Sequence, residues 1–248
     1  MAQVDFQHRE IAIKLVYYGP ALSGKTTNLQ QIHARMDVKR RGRLLTLDTK
    51  EDRTLYFDLL PLAFKSASGV TCKVKLFTVP GQVMHNTTRK VVLQGCDGVA
   101  FIADSQIAET KNNNESFANL KANMKENRLD PNEIPIVIQF NKRDMPNVRT
   151  DDDLKRIAAR GKEPVFPATA IQGKGVSETF LGLAAATWET LEKKMGLGSK
   201  HGIPKDAHSV LTTHLVDEPG HPTRDALDQV LTLFRTRLVA AVDPDPVP

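Results

Sequence analysis

Apolar runs alternate with polar, helix-like segments over most of this 248-residue chain. Ile11 to Tyr18 reads as a strand, and the polar segment from Lys25 to Arg35 reads as the helix that follows it. Two later runs, 99–103 and 134–140, are rich in β-branched and other apolar residues, which favours strands buried on both faces of a parallel sheet. The predicted strands after the first are 43–47, 72–79, 99–103, 134–140 and 164–168.

Helical patterns separate these strands, including 115–127 and 176–195. We expect 48–69 to be a polar loop with an amphipathic piece. Alternation of strand and helix is typical of doubly wound proteins. The sequence therefore predicts an α/β fold with a mostly parallel six-stranded sheet flanked by helices.

The character of the chain changes after Lys194. Residues 196–222 are linker-like, and Thr223 can cap a final amphipathic helix over 223–242. Two interpretations of this helix stay open: its apolar face folds back onto the domain, or it docks on a partner or a membrane surface. Its apolar positions follow helical spacing and are Leu227, Val230, Leu231, Phe234, Leu238 and Ala241.

Charge and composition exclude several classes of protein. The net charge is +5, but the densest basic run, 39–43, carries four charges without aromatic residues and predicts a solvated loop. We therefore expect no nucleic-acid partner. Cys72 and Cys96 lie in apolar stretches and are predicted to be reduced core residues.

No targeting or membrane segment is visible in the sequence. There is no run of about 18 apolar residues, no secretory signal pattern and no motif for a lipid anchor. We expect a cytoplasmic protein that partners can recruit to the cell poles or to the membrane.

The stretch from Gly19 to Thr26 matches the P-loop pattern and stands between a predicted strand and a predicted helix. Glycines let backbone N–H groups turn toward phosphate oxygens, and the helix adds its positive end. Lys25 is expected to reach the β- and γ-phosphates, and the Thr26 hydroxyl is expected to ligate Mg²⁺. The predicted phosphate-binding residues of this loop are Gly19, Ala21, Leu22, Ser23, Gly24, Lys25, Thr26 and Thr27.

A second motif, Asn141-Lys142-Arg143-Asp144, directly follows the strand predicted over 134–140. Strand carboxyl ends line the ligand crevice of an open α/β sheet, so this loop should share an edge with the P-loop. The Asp144 carboxylate can accept hydrogen bonds from N1–H and the amine of guanine, a donor pair that adenine lacks. Asn141 would tie the loop to the P-loop, and the Lys142 stem would cover the base.

Two further loops are expected at the same edge. Gly81 allows a backbone N–H to approach a γ-phosphate, and Gln82 after it can orient an attacking water. Backbone N–H groups of Thr169 and Ala170 could reach the guanine oxygen.

These residues together resemble the Ras-like small GTPases, and more closely the bacterial MglA-type GTPases of gliding motility and cell polarity. The resemblance covers roughly Arg9 to Lys194 and implies a Ras-like GTPase domain over 9–195. The stretches that carry it are 16–20, 25–29, 52–58, 78–83 and 141–144.

The resemblance implies a GTP/GDP switch with Mg²⁺ as cofactor. Thr54 would close on Mg²⁺ and the γ-phosphate, and Arg53 would stabilise transition-state charge in cis. The catalytic residues would be Arg53, Gln82 and Lys25. The implied partners are a Roadblock/LC7-type MglB protein, which stimulates slow intrinsic hydrolysis, and effectors of polarity or motility that bind the GTP state.

This chain differs from common small-GTPase patterns at two positions. Thr78 stands where an Asp usually supports Mg²⁺, which predicts weaker, uncharged support. Ala21 stands where Gly is usual, and its methyl group can obstruct the geometry around the γ-phosphate. The alternative to a hydrolytic switch is therefore a GTP-bound adaptor that does not hydrolyse GTP and recruits partners through its switch loops and C-terminal helix. A P-loop kinase or ATPase is disfavoured by Asp144.

Overall fold

A computed structural model describes residues 2–5, 7–47, 57–66 and 69–198. The predicted α/β class, with a mostly parallel sheet flanked by helices, is confirmed. The strands are β1 (Gln3–Asp5), β2 (Glu10–Tyr18), β3 (Leu45–Leu47), β4 (Phe57–Lys65), β5 (Thr71–Thr78), β6 (Gly98–Asp104), β7 (Ile136–Asn141) and β8 (Val165–Pro167). The helices are α1 (Lys25–Arg35), α2 (Asn86–Leu93), α3 (Thr110–Glu126), α4 (Asp151–Arg160) and α5 (Val176–Met195).

The described strands form one sheet in the order β3-β4-β5-β2-β6-β7-β8, with β1 paired to the start of β2. Five of them run parallel to one another, in the spatial order β5, β2, β6, β7 and β8. After β2 the chain forms β3, β4 and β5 on one side of β2 within the sheet. It then crosses to the other side of β2 to form β6. This reversal opens a crevice at the carboxyl end of β2, where ligands bind in open α/β sheets.

The sheet has eight strands instead of the six predicted. The prediction of a loop over 48–69 was wrong at 57–65, where β4 pairs antiparallel with β5. Its inward positions are buried, but apolar residues also occupy part of its outward face, which hides the period of two in the sequence. Inward are Asp58, Leu60, Leu62 and Phe64; outward are Leu59, Pro61 and Ala63.

Two layers of buried apolar residues lie between the sheet and its helices, one on each face. One face packs against α1 and α5, and the other packs mainly against α2 and α3. Cys72 and Cys96 lie unpaired in these layers, as predicted for core residues, and burial raises the pKa of each thiol to about 12.

Helix α5 ends at Met195, and the next residue, Gly196, takes the left-handed conformation (φ 64°) favoured after a helix. Leu197 is fully buried in the core, so packing of the domain includes the start of the segment predicted as a linker. The rest of that segment from 199, and the helix predicted over 223–242, lie outside the described residues. Among the helices that are described, none is both long and apolar enough to cross a bilayer.

Candidate nucleotide-binding site

Four of the loops that carry predicted site residues leave the same edge of the sheet. They follow the carboxyl ends of the parallel strands β2, β5, β7 and β8. The P-loop, the segment with Gly81 and Gln82, the 141–144 motif and the Thr169–Ala170 segment therefore converge at the crevice. Two predicted residues, Arg53 and Thr54, lie outside the described residues.

Asn141 joins three of these loops. It is almost fully buried, and its Nδ2 donates to the Ser23 carbonyl over 2.8 Å, which is the predicted link to the P-loop. Its Oδ1 accepts from the Ala170 amide over 2.8 Å. Gly24 makes this approach possible, since a Cβ there would lie 2.2 Å from Asn141 Nδ2. Gly24 also has φ 95° at the N-cap position that precedes α1.

Lys25 lies folded under the P-loop. Its ammonium donates to the carbonyls of Gly19 at 3.1 Å and Pro20 at 2.6 Å, and the side chain is buried. Burial lowers the pKa of Lys25 to about 7, with a further contribution from the positive charge of Arg89 and partial compensation from Asp58. Among the described residues this buried ammonium is bound by neutral carbonyls alone, so anionic phosphate oxygens would stabilise it further.

Asp58 is a site residue that sequence analysis missed. Its Oδ2 accepts from the hydroxyls of Thr26 at 2.7 Å and Thr78 at 2.9 Å, and its Oδ1 accepts from Thr46 at 2.9 Å. The Asp58 amide in turn donates to the Thr78 hydroxyl over 2.9 Å. A carboxylate from β4 therefore lies beside Thr26, in addition to the uncharged Thr78 hydroxyl.

A sequence signal for Asp58 was present. It shares the inward register of β4 with three apolar residues, so the pattern buries a carboxylate in a strand. Carboxylates are almost never fully buried without partners. An acid at such a position indicates a partner cluster, and here the partners are the three threonine hydroxyls.

Gly81 packs directly against the P-loop. A Cβ at Gly81 would lie 2.3 Å from the Ala21 Cα and 2.5 Å from the Ala21 nitrogen, so no larger residue fits without movement. Gln82 follows with an exposed side chain that has no hydrogen-bond partner within the described part of the chain. The segment that was predicted to sense a γ-phosphate thus adjoins the loop predicted to bind it.

The loop predicted to read the base presents one carboxylate to solvent. Asp144 is exposed, and no described residue donates to it. Lys142, at φ 64°, pairs its ammonium with the buried Asp104 carboxylate over 2.7 Å. This ion pair fixes the Lys142 side chain at the crevice edge next to Asp144.

The Thr169 and Ala170 amides both donate to partners within the protein. The Thr169 N–H donates to the Lys174 carbonyl over 3.0 Å, and the Ala170 N–H donates to Asn141. Both donors therefore have protein partners in this arrangement, and their contact with a guanine oxygen stays a prediction. The hydrogen bond from Ala170 helps to fix the orientation of the Asn141 side chain.

The remaining P-loop residues differ in exposure. Leu22 is 88% exposed with φ 60°, Ala21 and Thr26 are exposed, and Ser23 is fully buried. Thr27 is half-buried in the first turn of α1. The Ser23 hydroxyl has no partner among the described residues.

A search of protein-family models finds no match for this chain. The chain is similar to the mutual gliding-motility protein MglA of Myxococcus xanthus, with 44% identity over 193 residues. The matched region covers 78% of this chain and 99% of that relative.

Proposed function

The chain belongs to the MglA-type small GTPases, and from this premise we propose that it is a molecular switch that binds GTP and hydrolyses it to GDP and phosphate. We further propose that its GTP state binds effectors that control cell polarity or gliding motility, the process in the name of the relative. The observation that carries the proposal is the position of Asn141, which ties a P-loop to a loop suited to guanine.

The phosphate and base ends of the crevice suit one ligand. Lys25 would exchange its two backbone carbonyls for β- and γ-phosphate oxygens, with the N-terminus of α1 adding its dipole. The remaining P-loop residues would supply backbone donors. Asp144 would accept from guanine, and the stem of Lys142 would cover the base.

The donors around Thr26 fit Mg²⁺, a hard cation that prefers oxygen and is usually held by few protein ligands together with phosphates. Thr26 would ligate it directly, with Thr54 added by family resemblance. Asp58 would orient Thr26 and supply negative charge that Thr78 cannot. When bound, Mg²⁺ neutralises charge on the phosphates.

Hydrolysis would depend on positioning and electrostatics. Gln82 would orient the attacking water, Arg53 would stabilise charge in cis, and Gly81 would report the γ-phosphate through its N–H. A Roadblock/LC7-type MglB partner would accelerate the reaction by arranging the switch loops. Partners at the cell poles or the membrane would determine where this cytoplasmic switch acts.

One observation favours the second candidate, an adaptor that stays in the GTP state. Ala21 carries a methyl group in the loop against which Gly81 packs, close to where Gln82 and Arg53 must act. Misplacement by about 1 Å can lower a rate on the order of a hundredfold. In this alternative the switch loops and the helix predicted over 223–242 recruit partners without turnover.

Competition binding tests the nucleotide class. Fluorescent GDP is bound to the full chain with Mg²⁺, and unlabelled GTP, GDP, ATP and GMP are titrated against it. We expect displacement by GTP and GDP only, because Asp144 selects guanine and Lys25 needs a β-phosphate. Equal displacement by ATP would contradict the guanine assignment, and equal displacement by GMP would contradict the role of the P-loop.

A further inference from the structure

Arg89 is a buried cation with no role in the function proposed above. It lies in α2 with 2% of its surface exposed, and it is the largest of the fully buried side chains among the described residues. No carboxylate pairs with it within the described part of the chain. Its guanidinium instead lies 5.5 Å from the centre of the Tyr18 ring. Burying a charge without a counterion is costly, so the neutral groups around it must compensate.

Those groups are carbonyls of the loop that holds Gly81. Arg89 Nε donates to the Pro80 carbonyl over 2.8 Å, and Nη2 donates to the Gly81 carbonyl. Nη1 donates to Asn119 Oδ1 over 2.7 Å. A guanidinium presents a planar, rigid fork of donors, which lets one side chain hold two successive carbonyls and a third acceptor.

Helix α3 anchors this guanidinium from behind. Asn119 Oδ1 also accepts from the Tyr18 hydroxyl at 2.5 Å, and its Nδ2 donates to Asn86 Oδ1 at 3.0 Å. Asn123 bonds to the Tyr18 hydroxyl and to Asn86 as well. The cluster of Tyr18, Asn86, Asn119 and Asn123 thus connects β2, α2 and α3 around Arg89. The two loop carbonyls are held by a fixed donor.

Holding these carbonyls determines where the Gly81 N–H points. The described peptide bonds are trans, and in a trans peptide the C=O and N–H point in opposite directions. With the Pro80 carbonyl turned to Arg89, the Gly81 N–H points away from Arg89. Gly81 packs against Ala21, so the P-loop lies beside this peptide. No acceptor for the Gly81 N–H exists among the described residues.

We propose that Arg89 is a positioning residue that orients the Pro80–Gly81 peptide, so that the Gly81 N–H can bond a γ-phosphate and distinguish GTP from GDP. This inference rests on the proposed function, since it concerns the same crevice. Arg89 does not touch the nucleotide. The positive charge of Arg89 lowers the pKa of Lys25, so the guanidinium lies close to the same phosphate-binding region.

The test compares two affinities in the full chain with Mg²⁺: GDP and a non-hydrolysable GTP analogue. Arg89→Met removes the fork, and Arg89→Lys keeps the charge but cannot hold both carbonyls. For Arg89→Met we expect the GTP analogue to bind about tenfold or more weakly, which is the scale of one lost hydrogen bond to a charged group. GDP affinity should stay within about twofold. Arg89→Lys should lose several-fold in the analogue-to-GDP affinity ratio, and the neighbouring Lys90→Met should not change it.

The ratio of the analogue affinity to the GDP affinity distinguishes a positioning role of Arg89 from a role in stabilising the whole nucleotide site. Equal losses for both nucleotides, or no loss for either, would overturn the proposal. If Arg89→Met fails to fold by circular dichroism, Arg89→Lys decides: a ratio equal to wild type overturns it. Wild-type protein that binds neither nucleotide would contradict the proposed function itself, and the inference with it.

Discussion

The Thr26 hydroxyl donates to Asp58 Oδ2 over 2.7 Å, which joins the first turn of the P-loop helix to a carboxylate from β4. The same oxygen accepts from Thr78, 20 residues further along the chain. The buried Asp58 carboxylate thus binds three threonine hydroxyls, of which that of Thr78 is buried and those of Thr26 and Thr46 belong to exposed residues. In this chain the negative charge beside the expected Mg²⁺ ligand comes from β4 and not from the end of β5.

Asp58→Asn should therefore raise the Mg²⁺ concentration needed to retain nucleotide. Removing a group that orients a metal ligand typically costs 10- to 100-fold in metal affinity, and we expect about tenfold here. The measurement is the dissociation rate of fluorescent GDP against Mg²⁺ concentration. Asp97→Asn is the matched control, because this buried carboxylate accepts from the Ala2 and Lys14 amides far from the crevice. An unchanged Mg²⁺ dependence in Asp58→Asn, or the same change in both variants, would contradict the role of Asp58.

Ala21→Gly should accelerate GTP hydrolysis. Gly81 packs against the backbone of Ala21, so removing the Ala21 methyl group takes bulk from the loop expected to face the γ-phosphate. We expect a gain of about tenfold in single-turnover rate with nucleotide affinity unchanged. Gly81→Ala is the companion variant. Its added Cβ meets the backbone of Ala21, so Ala21→Gly should not rescue it. A rate in Ala21→Gly equal to wild type would mean that the methyl group does not limit catalysis.

Nucleotide binding should take up a proton above pH 7. In the free protein burial and Arg89 lower the pKa of Lys25 to about 7, whereas phosphate oxygens stabilise the ammonium and raise this pKa again. At pH 8.5 free Lys25 is largely neutral, so binding recruits nearly one proton. Affinity should then fall by up to about tenfold per pH unit above pH 7 and be flat with respect to this group below it.

Calorimetry measures this proton directly. GDP is titrated at pH 8.5 in two buffers with different ionisation enthalpies, and the difference in heat gives the protons taken up. Lys25→Met, measured at higher protein concentration, should show no uptake. Equal heats in the two buffers for wild type would contradict a neutral Lys25 in the free protein.

Asp144→Asn should change which base is bound. The carboxylate accepts from two donors of guanine, whereas an amide offers one acceptor and one donor, which suits the N1–H and the 2-oxo group of xanthine. We expect GTP affinity to fall about a hundredfold or more and xanthosine triphosphate affinity to rise. Asp152→Asn, an exposed carboxylate at the start of α4, serves as control. Retention of full GTP affinity in Asp144→Asn would exclude it as the guanine reader.

Contiguous motifs were the predictable part of this molecule. The P-loop and the 141–144 loop each follow an apolar run, and the rule for strand carboxyl ends is enough to bring them to one edge. The role of Asp58 could not be predicted in this way, because its partners are distant in the sequence. Only the antiparallel register that pairs Leu59 with Phe77 puts its carboxylate beside Thr78, and β4 was hidden by apolar residues on both faces.

Arg89 and the Ala170 amide show the same limit. Nothing local distinguishes a buried arginine in α2 from an exposed one, since its partners come from β2, α3 and the Gly81 loop. The Ala170 N–H donates to Asn141 across 29 positions of sequence, a contact that the motifs alone did not predict. Hydrogen-bond partners at such separations follow from the packed fold, which the sequence pattern specifies only in outline.

Single-turnover hydrolysis tests the central claim most directly. The full chain loaded with GTP and Mg²⁺ is followed for phosphate release, alone and with a Roadblock/LC7-type MglB protein, beside Gln82→Leu and Arg53→Ala. We predict slow release that the partner accelerates and that both variants lose while they still bind GTP. GTP held intact by wild type with and without the partner would contradict a hydrolytic switch and establish the adaptor instead.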